Sequence, residues 1–274
     1  MLTFVLDFRL TDVDGPVMAG HLTLGQPTMD QLQQCTNVVF LVHGFNVDRP
    51  TGSAELQKLA TLLPGIGDGG AAVAVLWPGD SSIGPVSYPF ETDKADDTAV
   101  ELAKFIGDNL LQKPRISFVA HSLGSRVVMT TVRQLWIMNI PVEQICLMAA
   151  AIDNDSLAAA DAYRAATQFA TRVAVLHSPC DTVLRYAYPA GNLLSAFMHW
   201  TATSDAALGY TGPRAASGSN GDIPGDVQHC GIPQNDAVSH SDYVPNAQGP
   251  PNDKQLAAAR YANSIVAGIL QVDY

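Results

Sequence analysis

The sequence predicts an α/β protein built on a mostly parallel, doubly wound sheet with an N-terminal antiparallel hairpin. Three observations carry this. From Asn37 onward the chain holds a series of short apolar runs with almost no polar alternation, as expected of parallel strands buried on both faces. Segments of helical periodicity separate the runs, and strict strand–helix alternation implies right-handed crossovers. With 47% hydrophobic and only 15% charged residues, the 274-residue chain can fill a sizeable core and is not of disordered composition.

The elements follow in order. Leu2–Leu10 and His21–Leu24 are strand-like and joined through Asp14-Gly15-Pro16, which reads as the hairpin. The apolar runs are Asn37–Val42, Ala71–Trp77, Ile116–Ala120, Ile145–Ala150 and Val173–His177. Helices are expected over Ser53–Leu63, Lys94–Leu111, Arg126–Ile137 and Asp155–Phe169. After Thr182 the rhythm breaks. One helix is expected at Asn192–Trp200 and a Gly/Ser/Pro-rich loop over Gly209–Gly225. A short last strand, Val227–Cys230, and an Ala-rich closing helix, Lys254–Leu270, complete the chain. No linker-like interruption divides it, so residues 1–274 are expected to form one domain.

A net charge of −11 without a Lys/Arg cluster disfavours nucleic acid and anionic membrane as partners. Met1–Leu10 has no basic stretch ahead of its apolar residues and is interrupted by Asp7, so neither a signal peptide nor a membrane span is visible and a cytoplasmic setting is expected. The cysteines, at 35, 146, 180 and 230, lack metal-ligand spacing and are expected as free thiols. Cys180 and Cys230 both fall near predicted strand ends, which leaves a disulfide between them open.

Ligands of open α/β sheets bind beyond the carboxyl ends of the strands, so the residues ending each run are read together. Val119-Ala120-His121-Ser122-Leu123-Gly124-Ser125 places a serine on a strand-to-helix corner between Ala120 and Gly124. That is the pattern of a nucleophile elbow, where only small flanking residues fit a tight, strained turn that lifts the serine Oγ clear of the backbone. After Val42 comes His43-Gly44-Phe45-Asn46, whose glycine lets the Phe45 N–H face the elbow and form an oxyanion hole with the Leu123 N–H.

A general base is expected C-terminal to the serine, from His177, His199, His229 and His240. His240 is favoured, because Val238-Ser239-His240-Ser241-Asp242 is a polar loop between the last strand and the closing helix. His229 and His177 belong to strands, His199 sits beside Trp200 on a helix face, and His121, inside the elbow, needs a partner for its ring. The acid that orients the imidazole is read as Asp181, on the turn after Val173–His177, with Asp153 as the rival.

With these residues placed, the chain resembles the α/β-hydrolase superfamily, and within it an uncharacterised bacterial esterase-like branch of serine carboxylesterase type. The likeness lies in His43-Gly44-Phe45-Asn46-Val47, Leu76-Trp77-Pro78, Ala120 to Arg126, Ala150-Ala151-Ile152-Asp153, Ser178 to Leu184, Leu208 to Gly212 and Ser239 to Tyr243, in the family's order. Ala120 stands where the superfamily's elbow usually has glycine. The resemblance implies an α/β-hydrolase fold, Ser122 as nucleophile, Asp181 as acid, His240 as base, and Phe45 and Leu123 as oxyanion donors.

The expected activity is hydrolysis of a small-molecule carboxylic ester through an acyl-enzyme, requiring neither metal nor organic cofactor. The same triad serves amidases, peptidases, thioesterases and acyltransferases, and a catalytically silent interaction module is a further alternative. The strand ending near Ala150 is followed by too little chain for an inserted cap domain. Pocket walls are therefore sought in Tyr186–Gly225, with Leu193, Leu194, Phe197 and Trp200, and in Trp77 and Phe45 at the strand ends. Such a site suits short to medium acyl chains.

Overall fold

The computed structural model describes residues 1–12, 15–23, 27–80, 88–110, 115–158, 163–188, 206–215 and 223–268. Strands β1 (Leu2–Arg9), β2 (Val17–Leu22), β3 (Asn37–Val42), β4 (Gly70–Leu76), β5 (Arg115–His121), β6 (Val142–Met148), β7 (Ala170–His177) and β8 (Val227–Gly231) form one sheet. Its order is β2-β1-β4-β3-β5-β6-β7-β8. Only β1–β2 is antiparallel; β1 runs parallel to β4, and every later pairing is parallel.

Burial on both faces is the reason the strand sequences are continuous in apolar residues. In β3, Val38, Phe40 and Val42 enter one core cluster while Val39 and Leu41 enter the other. Helices α3 (Tyr88–Leu110), α4 (Gly124–Ile137) and α5 (Arg164–Phe169) cover the first face; α2 (Arg49–Thr61) and α8 (Asp253–Val266) cover the second. None of the described helices is long and apolar enough to cross a membrane. Among the described residues no cap domain stands between β6 and β7.

Local signals set the helix ends. Asp48 accepts from the Thr51 N–H at 2.8 Å and Pro50 occupies the first turn, so α2 begins before the expected Ser53. Asn252 and Gln255 form a reciprocal capping box that starts α8.

Several elements differ from expectation. A six-residue helix, α1 (Met29–Gln34), is too short to show a period and is held by the Gln31 side chain accepting from the Thr28 N–H. Strand β2 begins at Val17 rather than His21, because Arg9 pairs with Val17 across the hairpin. Of the helix expected over Asp155–Phe169, α5 is formed, whereas residues 155–158 form turns beside Asp153, which pairs through its backbone with Ala207; residues 159–162 lie outside the described residues. Residues 182–188 are helical, here α6, and Leu208–Thr211 forms a short α7 inside the expected loop. The expected helix Asn192–Trp200 lies outside the described residues. All four cysteines are free, so Cys180 and Cys230 are not bridged; Cys230 is turned into the core whereas Cys180 sits part-exposed on the turn before α6.

Candidate active site

The turn between β5 and α4 holds Ser122 at φ 53°, a left-handed conformation that a side chain makes costly. Neighbouring backbone offsets the cost. The Ser122 N–H donates to the Met148 carbonyl at 3.0 Å, and the Ala151 N–H donates to the Ser122 carbonyl at 3.1 Å. The corner thus rides on the end of β6. Gly124 has to be glycine: a Cβ there would stand 2.4 Å from the His43 carbonyl oxygen and 2.9 Å from that of Val42.

His240 opens a 3-10 turn, His240–Tyr243, on the loop between β8 and α8. Asp242 accepts from the Ser239 N–H at 2.9 Å, and the Ser178 hydroxyl donates to the Val238 carbonyl at 2.7 Å, which fixes the turn against the end of β7. Its imidazole lies between two partners. Nε2 is 3.0 Å from Ser122 Oγ, and Nδ1 is 2.8 Å from Asp181 Oδ2. Asp181 is fully buried, and its other oxygen accepts from the Leu184 N–H at 2.9 Å. The carboxylate can accept only, so Nδ1 carries the proton and Nε2 is free to take one from the serine.

The loop after β3 faces the same serine. A Cβ on Gly44 would lie 2.9 Å from Ser122 Cβ, so only a glycine lets this backbone approach so closely. His43 is 1% exposed, and burial, with Arg9 nearby, pushes its pKa down to about 3. The Trp77 N–H donates to His43 Nε2 at 3.2 Å, which leaves Nδ1–H to donate to the Gly44 carbonyl at 2.8 Å. A peptide's C=O and N–H point in opposite directions, so anchoring the Gly44 carbonyl on His43 turns the Phe45 N–H away from that ring. Leu123, the other expected donor, is the N-cap of α4 directly after Ser122, where backbone N–H groups lack helical partners.

Other residues read from the sequence fall elsewhere. Trp77 is no pocket wall: it is 0% exposed, stacks on His43 with centroids 5.6 Å apart, and donates its indole N–H to the His43 carbonyl at 2.9 Å. Phe45 is half-buried and packs against the core. Phe197, Trp200, Leu193, Leu194 and His199 lie outside the described residues. Asp153 accepts from the Tyr188 hydroxyl at 2.9 Å. His177 and His229 end β7 and line β8, where their rings stack 4.4 Å apart. Burial, then His229, lowers the His177 pKa to about 4.

His121 finds its partner in the backbone of the histidine loop: Nε2 donates to the His240 carbonyl at 2.9 Å. Burial, then His240, lowers its pKa to about 3, so the ring is a neutral donor that ties the elbow to the loop. Sequence reading singles out the ring but not its partner, which lies 119 positions away.

A family model described as alpha/beta hydrolase of unknown function (DUF900) matches residues 28–190. No curated protein matches the sequence. Among solved structures, phospholipase PlaB from Legionella pneumophila is 20% identical over 45% of this chain and 27% of its own, with a TM-score of 0.29. The chain thus spans about a quarter of that phospholipase. The metagenomic carboxyl esterase MGS0156 is 11% identical over 93% of this chain and 82% of its own, with a TM-score of 0.42. A hyperthermophilic esterase from the archaeon Pyrobaculum calidifontis is 14% identical over 86% and 76% respectively, with a TM-score of 0.43.

Proposed function

The chain belongs to the alpha/beta hydrolase family of unknown function DUF900, and from that premise we propose that it is a serine hydrolase cleaving carboxylic esters with short to medium acyl chains. The observation that carries the reading is the unbroken relay from Ser122 Oγ to His240 Nε2 at 3.0 Å and from His240 Nδ1 to Asp181 Oδ2 at 2.8 Å.

In the proposed reaction Ser122 Oγ attacks the acyl carbon while His240 Nε2 removes its proton. The resulting imidazolium is stabilised by Asp181, and negative charge gathers on the substrate oxygen, which the N–H groups of Phe45 and Leu123 receive. His240 returns the proton to the leaving alcohol. A water deprotonated by the same imidazole then attacks the acyl-enzyme, releasing the acid and restoring Ser122. The short link between β6 and β7 supports an open site, in which long acyl chains gain little because each methylene contributes about 0.8 kcal/mol only when buried. From the sequence, Phe197 and Trp200 remain the proposed acyl-pocket residues.

Labelling with a fluorophosphonate tests the reading directly. Ser122 is expected to carry the adduct and Ser122→Ala to abolish both labelling and hydrolysis of p-nitrophenyl acetate, with kcat lowered by about 10⁴-fold or more. Retention of a tenth of wild-type turnover in Ser122→Ala would refute the assignment.

A further inference from the structure

Strand β1 ends in a fully buried arginine. One arm of the Arg9 guanidinium, Nη1, donates to Asp80 Oδ1 at 2.5 Å; the other, Nη2, donates to the Val47 carbonyl at 2.5 Å. Between those anchor points the Asn46 N–H donates to the Gly79 carbonyl at 2.7 Å. The fork therefore straddles the bridge that joins the loop after β3 to the loop after β4. A second arginine fixes Arg9 in turn: Arg49 Nη2 donates to the Arg9 carbonyl at 2.9 Å, and Asp7 accepts from the Arg9 N–H at 2.9 Å.

The loop so held carries Phe45, two residues before Val47, and presses Gly44 against Ser122. Asn46, at φ 60°, sits in the left-handed region, which asparagine tolerates better than most residues, and its N–H is held by the Gly79 carbonyl while the carbonyl of the next residue, Val47, is held by Arg9. We infer that Arg9, delivered from the N-terminal hairpin, is a positioning residue of the oxyanion hole: it clamps the loop so that the Phe45 N–H is aimed before substrate arrives. The inference rests on the proposed function. Only arginine offers two parallel donors on a rigid plane; a lysine reaches one of the two acceptors at a time. An oxyanion donor is effective only when held within hydrogen-bond distance of the developing charge, so a loosened clamp lowers turnover more than ground-state binding.

Two variants test this on the full chain. Arg9→Lys keeps the charge facing Asp80 and gives up the Val47 bond. The pair Arg9→Met with Asp80→Leu replaces the buried ions by apolar side chains of similar bulk, an exchange that buried ion pairs commonly tolerate, so a folded variant without the clamp is available if Arg9→Lys does not fold. With p-nitrophenyl acetate, kcat is expected to fall about 10- to 100-fold with KM within twofold and the acidic limb of the pH profile unmoved. Hydrogen exchange in residues 43–48 is expected to quicken while that in 122–127 is unchanged. A folded variant with kcat within twofold of wild type overturns the inference, as does a loss accompanied by a shifted acidic limb, which would place the effect at His240, or unchanged exchange in the loop. A wild type that neither labels with fluorophosphonate nor turns over overturns the proposed function instead, and the exchange measurement then still decides whether Arg9 grips the loop.

Discussion

Replacing Asp181 by Asn separates the two acids that the chain offers. The side chain is fully buried, and its Oδ1 accepts from the Leu184 N–H at 2.9 Å, a bond that an Asn carbonyl oxygen keeps, so the fold is retained. The oxygen facing His240 becomes an amide NH₂. That group donates to Nδ1, forces the proton onto Nε2, and so presents Ser122 with a donor where it needs an acceptor. The charge is lost as well. At the observed 2.8 Å contact, an imidazolium–carboxylate pair with an effective dielectric of ~20 is worth about 6 kcal/mol, or about 4 kcal/mol with the charge centred ~4 Å away in the ring. At 1.36 kcal/mol per decade this is a loss of about 10³ to 10⁴ in kcat. Steady-state kinetics on p-nitrophenyl acetate, with circular dichroism as the check on folding, measures it. Asp153→Asn, which disturbs only the hydrogen bond from Tyr188 among those described for its carboxylate, is expected to keep kcat within about tenfold. If Asp153→Asn proves the more damaging of the two, or a folded Asp181→Asn stays within tenfold of wild type, the relay is not the one drawn through Asp181.

Three further outcomes are expected. His43, with a folded pKa of about 3 against about 6.5 in an unfolded chain, binds its proton more readily when unfolded. Its contribution is intact above pH ~6.5 and is lost as pH falls toward 3, reaching about 2 kcal/mol at pH 5. Urea midpoints at pH 7.5 and 5.0 are therefore expected to diverge by that much more in wild type than in His43→Gln, and parallel losses would contradict the assignment. Gly124→Ala drives a methyl group to 2.4 Å from the His43 carbonyl, so a loss of about 1–3 kcal/mol in denaturant stability is expected, together with reduced turnover; full stability would show that the corner has room. In a p-nitrophenyl ester series kcat/KM is expected to peak at short to medium chains, and a maximum at long chains or a rate jump above the substrate's solubility limit would argue for a covered, lipase-like site.

The sheet is legible in the sequence because burial on both faces leaves continuous apolar runs such as Val38–Val42, and no surface strand imitates that pattern. Ser122 is legible because a small–X–Ser–X–small corner between strand and helix has few other causes, and chain order then points to Asp181 and His240; in the structure His240 lies within hydrogen-bond distance of both Ser122 and Asp181. Short-range period fails where tertiary pairing decides. Residues 155–158 have helical spacing yet form turns next to Asp153, which pairs with Ala207, and α1 is too short to show a period. Trp77 at a strand end reads the same whether it faces a pocket or lies under a loop; only the His43 carbonyl waiting for its indole N–H decides. Arg9 gives no signal, since Asp80 is 71 positions away and nothing in an edge hairpin announces a buried charge.

The relay that joins Ser122 to His240 spans 118 positions of chain, and that separation has a temporal side. Domains take shape from the N-terminus during synthesis at roughly 5–20 residues per second, so roughly 6–24 s pass between making Ser122 and making His240, its proposed base. A growing chain can set Arg9, the loop after β3 and the strained corner in place while its serine still has no group to accept its proton. On the proposed relay, Ser122 acquires its partner only once the loop carrying His240 has been made. Every incomplete product ending before His240 would carry Ser122 without its proposed base.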